Sequence, residues 1–257
     1  MTWKTLGTVS PSALSPTRLE LHWAAQLVSA PGTTLLSAEA DYGHTNLGWD
    51  AALCVLSGRS IGTTSLRAGL VFEGLELVVI EGERERSSIR LAGRTLEEAR
   101  TWLGREMTGG GSGLGLPTHE MPSHPVGEGG AFSGSGGKAR TELGAWFANA
   151  FAAIREAVAS EPSASPVRCW PHHFDVASSI ALDQGGDPKE RRSIGVGFSP
   201  GDGSYDQPYL YVTPWPYPDR EDLPPLSEGS RWHRKGWTGM VLLADDLISA
   251  SPGQQQR

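Results

Sequence analysis

Between Thr108 and Gly137 the chain reads TGGGSGLGLPTHEMPSHPVGEGGAFSGSGG, and no apolar periodicity survives anywhere in it. A stretch this long without helical or strand patterning is a linker, a lid or a wrap over a surface. It therefore divides 257 residues into two parts, 1–107 and 138–257, that carry all the patterned sequence. Any fold must be built from strands and helices on either side of it. Its middle, PTHEMPSHP, holds two histidines, a glutamate and a methionine among prolines. A stiff polar centre on glycine arms is how lids are made, so this part is expected to dock near a pocket.

Before that stretch, SPTRLELHWAAQLVSAPG places Leu19, Trp23, Leu27 and Val28 at helical spacing, with Pro31-Gly32 as the expected stop. TTLLSAEADY, AALCVLSG, RAGLVFEG, LELVVIEG and SSIRLAG read as strands, with Glu73-Gly74 as a tight turn between two of them. RTLEEARTWLGREM is a second helix, opened by a capping box from Thr95 and Glu98. After the glycine-rich stretch, KARTELGAWFANAFAAIREAVASE is a third helix with an apolar stripe. VRCWPHHFDVASSIAL, RRSIGVGFSP and PYLYVTPWP are strand-like, and TGMVLLADDLI is compatible with strand or short helix. The expected class is α+β: mixed, mainly antiparallel sheets packed with about three helices. The chain forms one α+β domain, or two strand-rich halves joined by 108–137.

Composition excludes several partners. The net charge is −7 and no long basic run occurs, so neither nucleic acid nor an anionic membrane surface is an expected partner. No run of about 18 apolar residues exists to span a membrane. The start, MTWKTLGTVS, lacks a signal-peptide core, and a cytoplasmic location is expected. Two cysteines, Cys54 and Cys169, make no disulfide framework, and each lies in an apolar run that suits a buried thiol.

Chemistry has to come from seven histidines and their neighbours. In WPHHFD an extended backbone would put His173 and Asp175 on one face and His172 with Phe174 on the other. An imidazole beside a carboxylate suits a divalent metal (Zn, Fe or Mn) or a base held by its orienting carboxylate. The candidate metal set is His22, His44, His173 and Asp175, and the candidate catalytic residues are His173, Asp175 and Glu120. Gln26 lies four residues after His22, on the same helical face. Tyr209 and Tyr211 share a strand face, and Trp215 stands between two prolines; with Gln26 they are candidate ligand-binding residues. H-x-D is a weak signal, and no H-E-x-x-H, C-x-x-C, G-x-S-x-G or phosphate-loop motif is present. A core histidine bonded to a buried aspartate is the structural alternative.

Four stretches, LHWAAQLV, PTHEMPSHPV, HHFDVASSI and GVGFSPGDGSYDQPYLYVTPWP, occur in an order that resembles the bacterial family known as domain of unknown function 5996. The resemblance covers most of the chain. It implies that His22, Gln26, Glu120 and Asp175 hold the family's motif positions, and it implies no activity. His-His before F-D departs from the family pattern, which is small or aromatic there. The function expected is a metal-dependent enzyme acting on a small molecule. A non-catalytic protein binding a small ligand in an aromatic pocket, and a structural or partner-binding domain, are the alternatives.

Overall fold

The computed structural model describes residues 3–63, 65–110, 113–183, 185, 191–219, 223–227, 229–250 and 255. Of the glycine-rich stretch, Gly111 and Ser112 lie outside them.

Each half contributes one antiparallel sheet. The first is a meander in sequence order, β1 (Gly48–Asp50), β2 (Val55–Ser57), β3 (Leu66–Val71), β4 (Glu76–Glu81) and β5 (Arg84–Arg90). The second contains β6 (Arg168–Trp170), β7 (Asp175–Ala181), β8 (Ser193–Ser199), β9 (Tyr209–Trp215), β10 (Ser230–His233) and β11 (Gly239–Leu243). Its spatial order is β10-β11-β9-β8-β7-β6, so β11 is inserted between β10 and β9. A two-bond bridge joins the sheets: Leu47 and Cys169 exchange backbone hydrogen bonds of 2.9 and 2.8 Å.

Three long helices cover these sheets: α1 (Ser15–Leu35), α2 (Leu96–Thr108) and α3 (Gly137–Ala157). A short α4 (Ala244–Ile248) continues directly from β11, so TGMVLLADDLI is strand and then helix. Thr95 and Glu98 form the expected capping box of α2, and Gly109 closes that helix in the left-handed region. Helix α1 does not stop at Pro31-Gly32 but runs to Leu35. An interior proline removes one helical bond and costs about 3 kcal/mol. Burial of Ala24, Ala25, Leu27, Val28 and Ala30 on the first sheet offsets it. Gly32 is needed there because a Cβ would sit 2.1 Å from the His44 carbonyl oxygen. TTLLSAEADY is accordingly helix end and loop, not strand.

One contiguous apolar core draws on both sheets and all three long helices. At its centre Phe147 of α3 meets Phe72 of the first sheet's β3–β4 turn at 5.0 Å between ring centroids. It meets Phe174 and Phe198 of the second half at 4.9 and 5.5 Å. The stretch 113–136 is a strap laid along α1. Gly115 N donates to Thr34 Oγ1 at 2.7 Å, Trp23 Nε1 to Pro122 O at 3.0 Å, and Ser133 N to Glu20 Oε1 at 2.6 Å. Among the described residues, no helix is long and apolar enough to cross a membrane.

Candidate functional site

WPHHFD is a hairpin turn, not a continuous strand. Trp170 of β6 pairs with Asp175 of β7, and the Trp170 carbonyl accepts from His173 N at 3.2 Å and Phe174 N at 2.7 Å. Pro171, with its preset φ, opens the turn. Phe174 closes it at φ +59, a left-handed conformation that is costly for an aromatic residue. It is held there because its ring is fully buried between Phe147 and the His22 imidazole, which stacks on it at 5.2 Å and 7°. His172 does not share a face with Phe174 as strand alternation predicts. Its ring lies 4.3 Å from that of His173 and 5.9 Å from that of His119 on the strap.

His22 and Gln26 fix this turn from α1. His22 Nε2 donates to the Pro171 carbonyl at 2.8 Å, and Gln26 Nε2 donates to the same oxygen at 2.8 Å and to His22 O at 3.0 Å. Both residues are buried, and Gln26 Oε1 has no hydrogen-bond partner. Gln26 therefore acts first on the protein's own backbone. Burial pushes the His22 pKa down to about 4, with His119, Arg18 and His173 adding like-charge repulsion against the Pro171 bond. His172 is likewise lowered to about 4 by burial and its histidine neighbours.

The outer face of the second sheet, away from α3, carries the cleft. Register and alternation put Asp175 of β7, Ser199 and Gly197 of β8, and Tyr209, Tyr211 and Thr213 of β9 on that face. Val176 and Phe198 turn inward to the core. Small residues form a trough in which the tyrosine rings lie. A Cβ at Gly197 would stand 2.2 Å from Tyr211 Cζ, so only glycine lets that ring cross the sheet. Tyr211 OH donates to Asp175 Oδ2 at 2.6 Å, and Tyr209 OH to Asp202 Oδ2 at 2.6 Å. Asp202 sits on the β8–β9 loop, where its Oδ1 accepts from Ser204 N and Tyr205 N. Arg18 of α1 donates to Gly201 O and anchors the same loop. Trp237, stacked on His233 at 4.3 Å, and Tyr217 complete the walls.

The resulting cavity is about 520 Å³ and holds His173, Asp175, Asp202, three tyrosines and Trp237. A second depression, beside Arg18, His22 and His172, shares His173, Asp202 and Gly203 with it. Asp175 is half-buried, and its Oδ1 is sealed from solvent with no hydrogen-bond partner. Burial raises its pKa, against the Tyr211 bond and nearby His173, which favour the charged form. Burial and the adjacent Asp175 charge raise the Tyr211 phenol far above its usual range.

The structure thus brings His173, Asp175, Tyr209 and Tyr211 to one cavity. It does not bring the other candidates there. Glu120 is exposed on the strap and is absent from the cavity wall. Trp215 is 42% exposed at the strand exit, and Tyr217, against which it packs edge-on, lines the cavity instead. His44 packs at Gly32, ten residues along α1 from His22, a rise of about 15 Å; its Nδ1 accepts from Glu39 N at 3.1 Å. His22, His44, His173 and Asp175 are therefore not one ligand set. Among the described residues, no three His, Cys, Asp or Glu side chains are grouped to hold a metal ion. Cys54 is exposed rather than buried, whereas Cys169 is buried. The sequence by itself does not single out Gly197, Ser199, Thr213 or Tyr217. The signal for Gly197 and Asp202 was present in GVGFSPGDG, but it becomes readable only when β8 is paired with β9.

No family model, curated protein or solved structure matches the chain. The likeness to domain of unknown function 5996 rests on the order of its four motifs alone.

Proposed function

We propose that the chain binds a small polar molecule in the cleft on the outer face of the second sheet, with Asp175 as its principal contact. The observation that carries this reading is the Asp175 carboxylate. It is desolvated at the cleft floor, supported on one oxygen by Tyr211 and left without a partner on the other. Buried polar atoms without partners are rare and costly, and a fold that needed only a stable sheet would place an apolar residue there. The Trp237 and tyrosine walls are suited to packing against a ligand's apolar surface.

Acid–base chemistry on that ligand is a second reading. It is supported by a carboxyl whose pKa is raised beside an imidazole in an open cleft. In that case Asp175 would donate a proton and His173 accept one. A metal-assisted version has less support, because His22 Nε2 is committed to Pro171 and His44 is remote.

The test is a titration of the full chain with a panel of small metabolites, followed by tryptophan fluorescence and by thermal shift. Tyr211→Phe and Asp175→Asn are expected to retain the far-ultraviolet circular dichroism of the parent and to lose at least about tenfold in affinity, the loss of one charge-assisted bond. Binding that is unchanged in both variants would place the ligand elsewhere and overturn the reading. Consumption of the ligand by the parent but not by Asp175→Asn would select the catalytic form.

A further inference from the structure

The cleft has a marked asymmetry of charge. Among the described residues, its wall carries two carboxylates, Asp175 and Asp202, and no lysine or arginine. Arg18 lines the adjoining depression, and its guanidinium is turned to Gly201 O and Ser15 Oγ. The other polar groups among the described wall side chains are hydroxyls, the His173 imidazole and the Trp237 indole N–H. Four aromatic rings surround this negative floor. Tyr209 and Tyr211 lie 6.0 Å apart, Trp237 stands edge-on to Tyr211 at 6.2 Å, and Tyr217 lines the opening at 44% exposure.

We propose that this cleft selects small organic cations, of the alkylammonium class, over neutral polyols and over anions. The inference rests on the reading of the cleft as a ligand site and names what enters it. An aromatic ring presents a negative face, and a cation desolvated against tyrosine and tryptophan is attracted to it. A carboxylate at the floor supplies the opposite charge, and the described residues of the wall offer an anion no guanidinium or ammonium to pair with. A neutral polyol brings no charge to set against the carboxylates and no cation to lay on the rings. Trp237 is braced by His233, whose Nε2 donates to Lys235 O and whose Nδ1 accepts from Tyr205 OH, stacked on one face of the indole.

The groups facing Asp175 are His173 on the turn, Tyr211 and Tyr209 on β9, Asp202 on the loop and Cys169 on β6. Burial holds this carboxyl toward its acid form, and a seated cation favours the carboxylate. Cation binding is therefore expected to strengthen as pH rises through the range in which this carboxyl titrates.

The experiment is calorimetric titration of the full chain with choline, with the neutral isostere in which carbon replaces the quaternary nitrogen, and with glucose and acetate. Choline is expected to bind at least about tenfold more tightly than its isostere. Asp175→Asn, which keeps shape and a hydrogen-bond acceptor for Tyr211, is expected to remove most of that preference. Trp237→Leu provides a second variant should the first fail to fold. Equal binding of choline and its isostere, or binding of glucose or acetate alone, would overturn the inference and leave the cleft a ligand site of another class. No binding by any probe here or in the metabolite panel would end both.

Discussion

His22 reports how much the local environment alters one side chain. Unfolded, its imidazole takes a proton near 6.5; folded, burial delays that until about 4. The folded-state value is the lower of the two. The stability His22 contributes is therefore complete above pH 6.5 and is lost as pH falls toward 4, an amount on the order of 3 kcal/mol. His172, whose side chain is more open to water, shifts in the same direction and adds less. Thermal melts across that window should show a steep acid loss, and His22→Gln should flatten it; a melting temperature independent of pH there would contradict the burial of His22. Gly197 is a second residue whose identity is decided by a neighbour. Gly197→Ala drives the Tyr211 ring off its place over β8, and Asp175 Oδ2 loses its donor. The expected result is a loss of about 1–3 kcal/mol in denaturant unfolding, with ligand affinity falling as in Tyr211→Phe. An unchanged midpoint would mean that the ring finds room elsewhere.

Among the elements, the strap is the one that composition describes least well. Its glycines suggest freedom, yet it is anchored along α1 from Thr34 to Glu20. Gly127 explains why one of those glycines is required: a Cβ there would lie 2.3 Å from the Trp23 ring. The ring is held by its own bond to Pro122 O. Gly127→Ala must therefore push Trp23 aside and break that bond, at a cost of about 1–3 kcal/mol. Limited proteolysis checks this. The parent should resist cleavage between Pro117 and Pro125, and the variant should be cut there. Because His119 on the strap meets His172 on the hairpin turn, release of the strap should also disturb the turn that presents His173.

For the whole molecule, the relevant fact is that Phe147 touches both halves. The Leu47–Cys169 bridge ties the sheets at their edges, and α1 contacts the first sheet while clamping the second half's hairpin turn through Pro171. Neither half closes its own core. Unfolding by urea is accordingly expected to be a single transition, with near- and far-ultraviolet circular dichroism coincident. Two resolved transitions would show that the halves are stable separately.

What the sequence determined by itself lies within one turn or one strand. The Thr95–Glu98 box, the shared helical face of His22 and Gln26, and the shared strand face of Tyr209 and Tyr211 follow from periods of 3.6 and 2.0 residues, which backbone sterics impose on any chain. The α+β class follows from the same periods. Tertiary structure decided what those faces meet. His22 and Gln26 reach a carbonyl 149 and 145 residues away, and Tyr211 reaches a carboxylate 36 residues back across a strand that happens to carry glycine. It also overrode local preference where burial was worth more. Pro31 stays inside α1, and Phe174 takes a left-handed turn position that local rules reserve for glycine or asparagine. Apolar burial and strand register act between distant segments, so no window of sequence contains them.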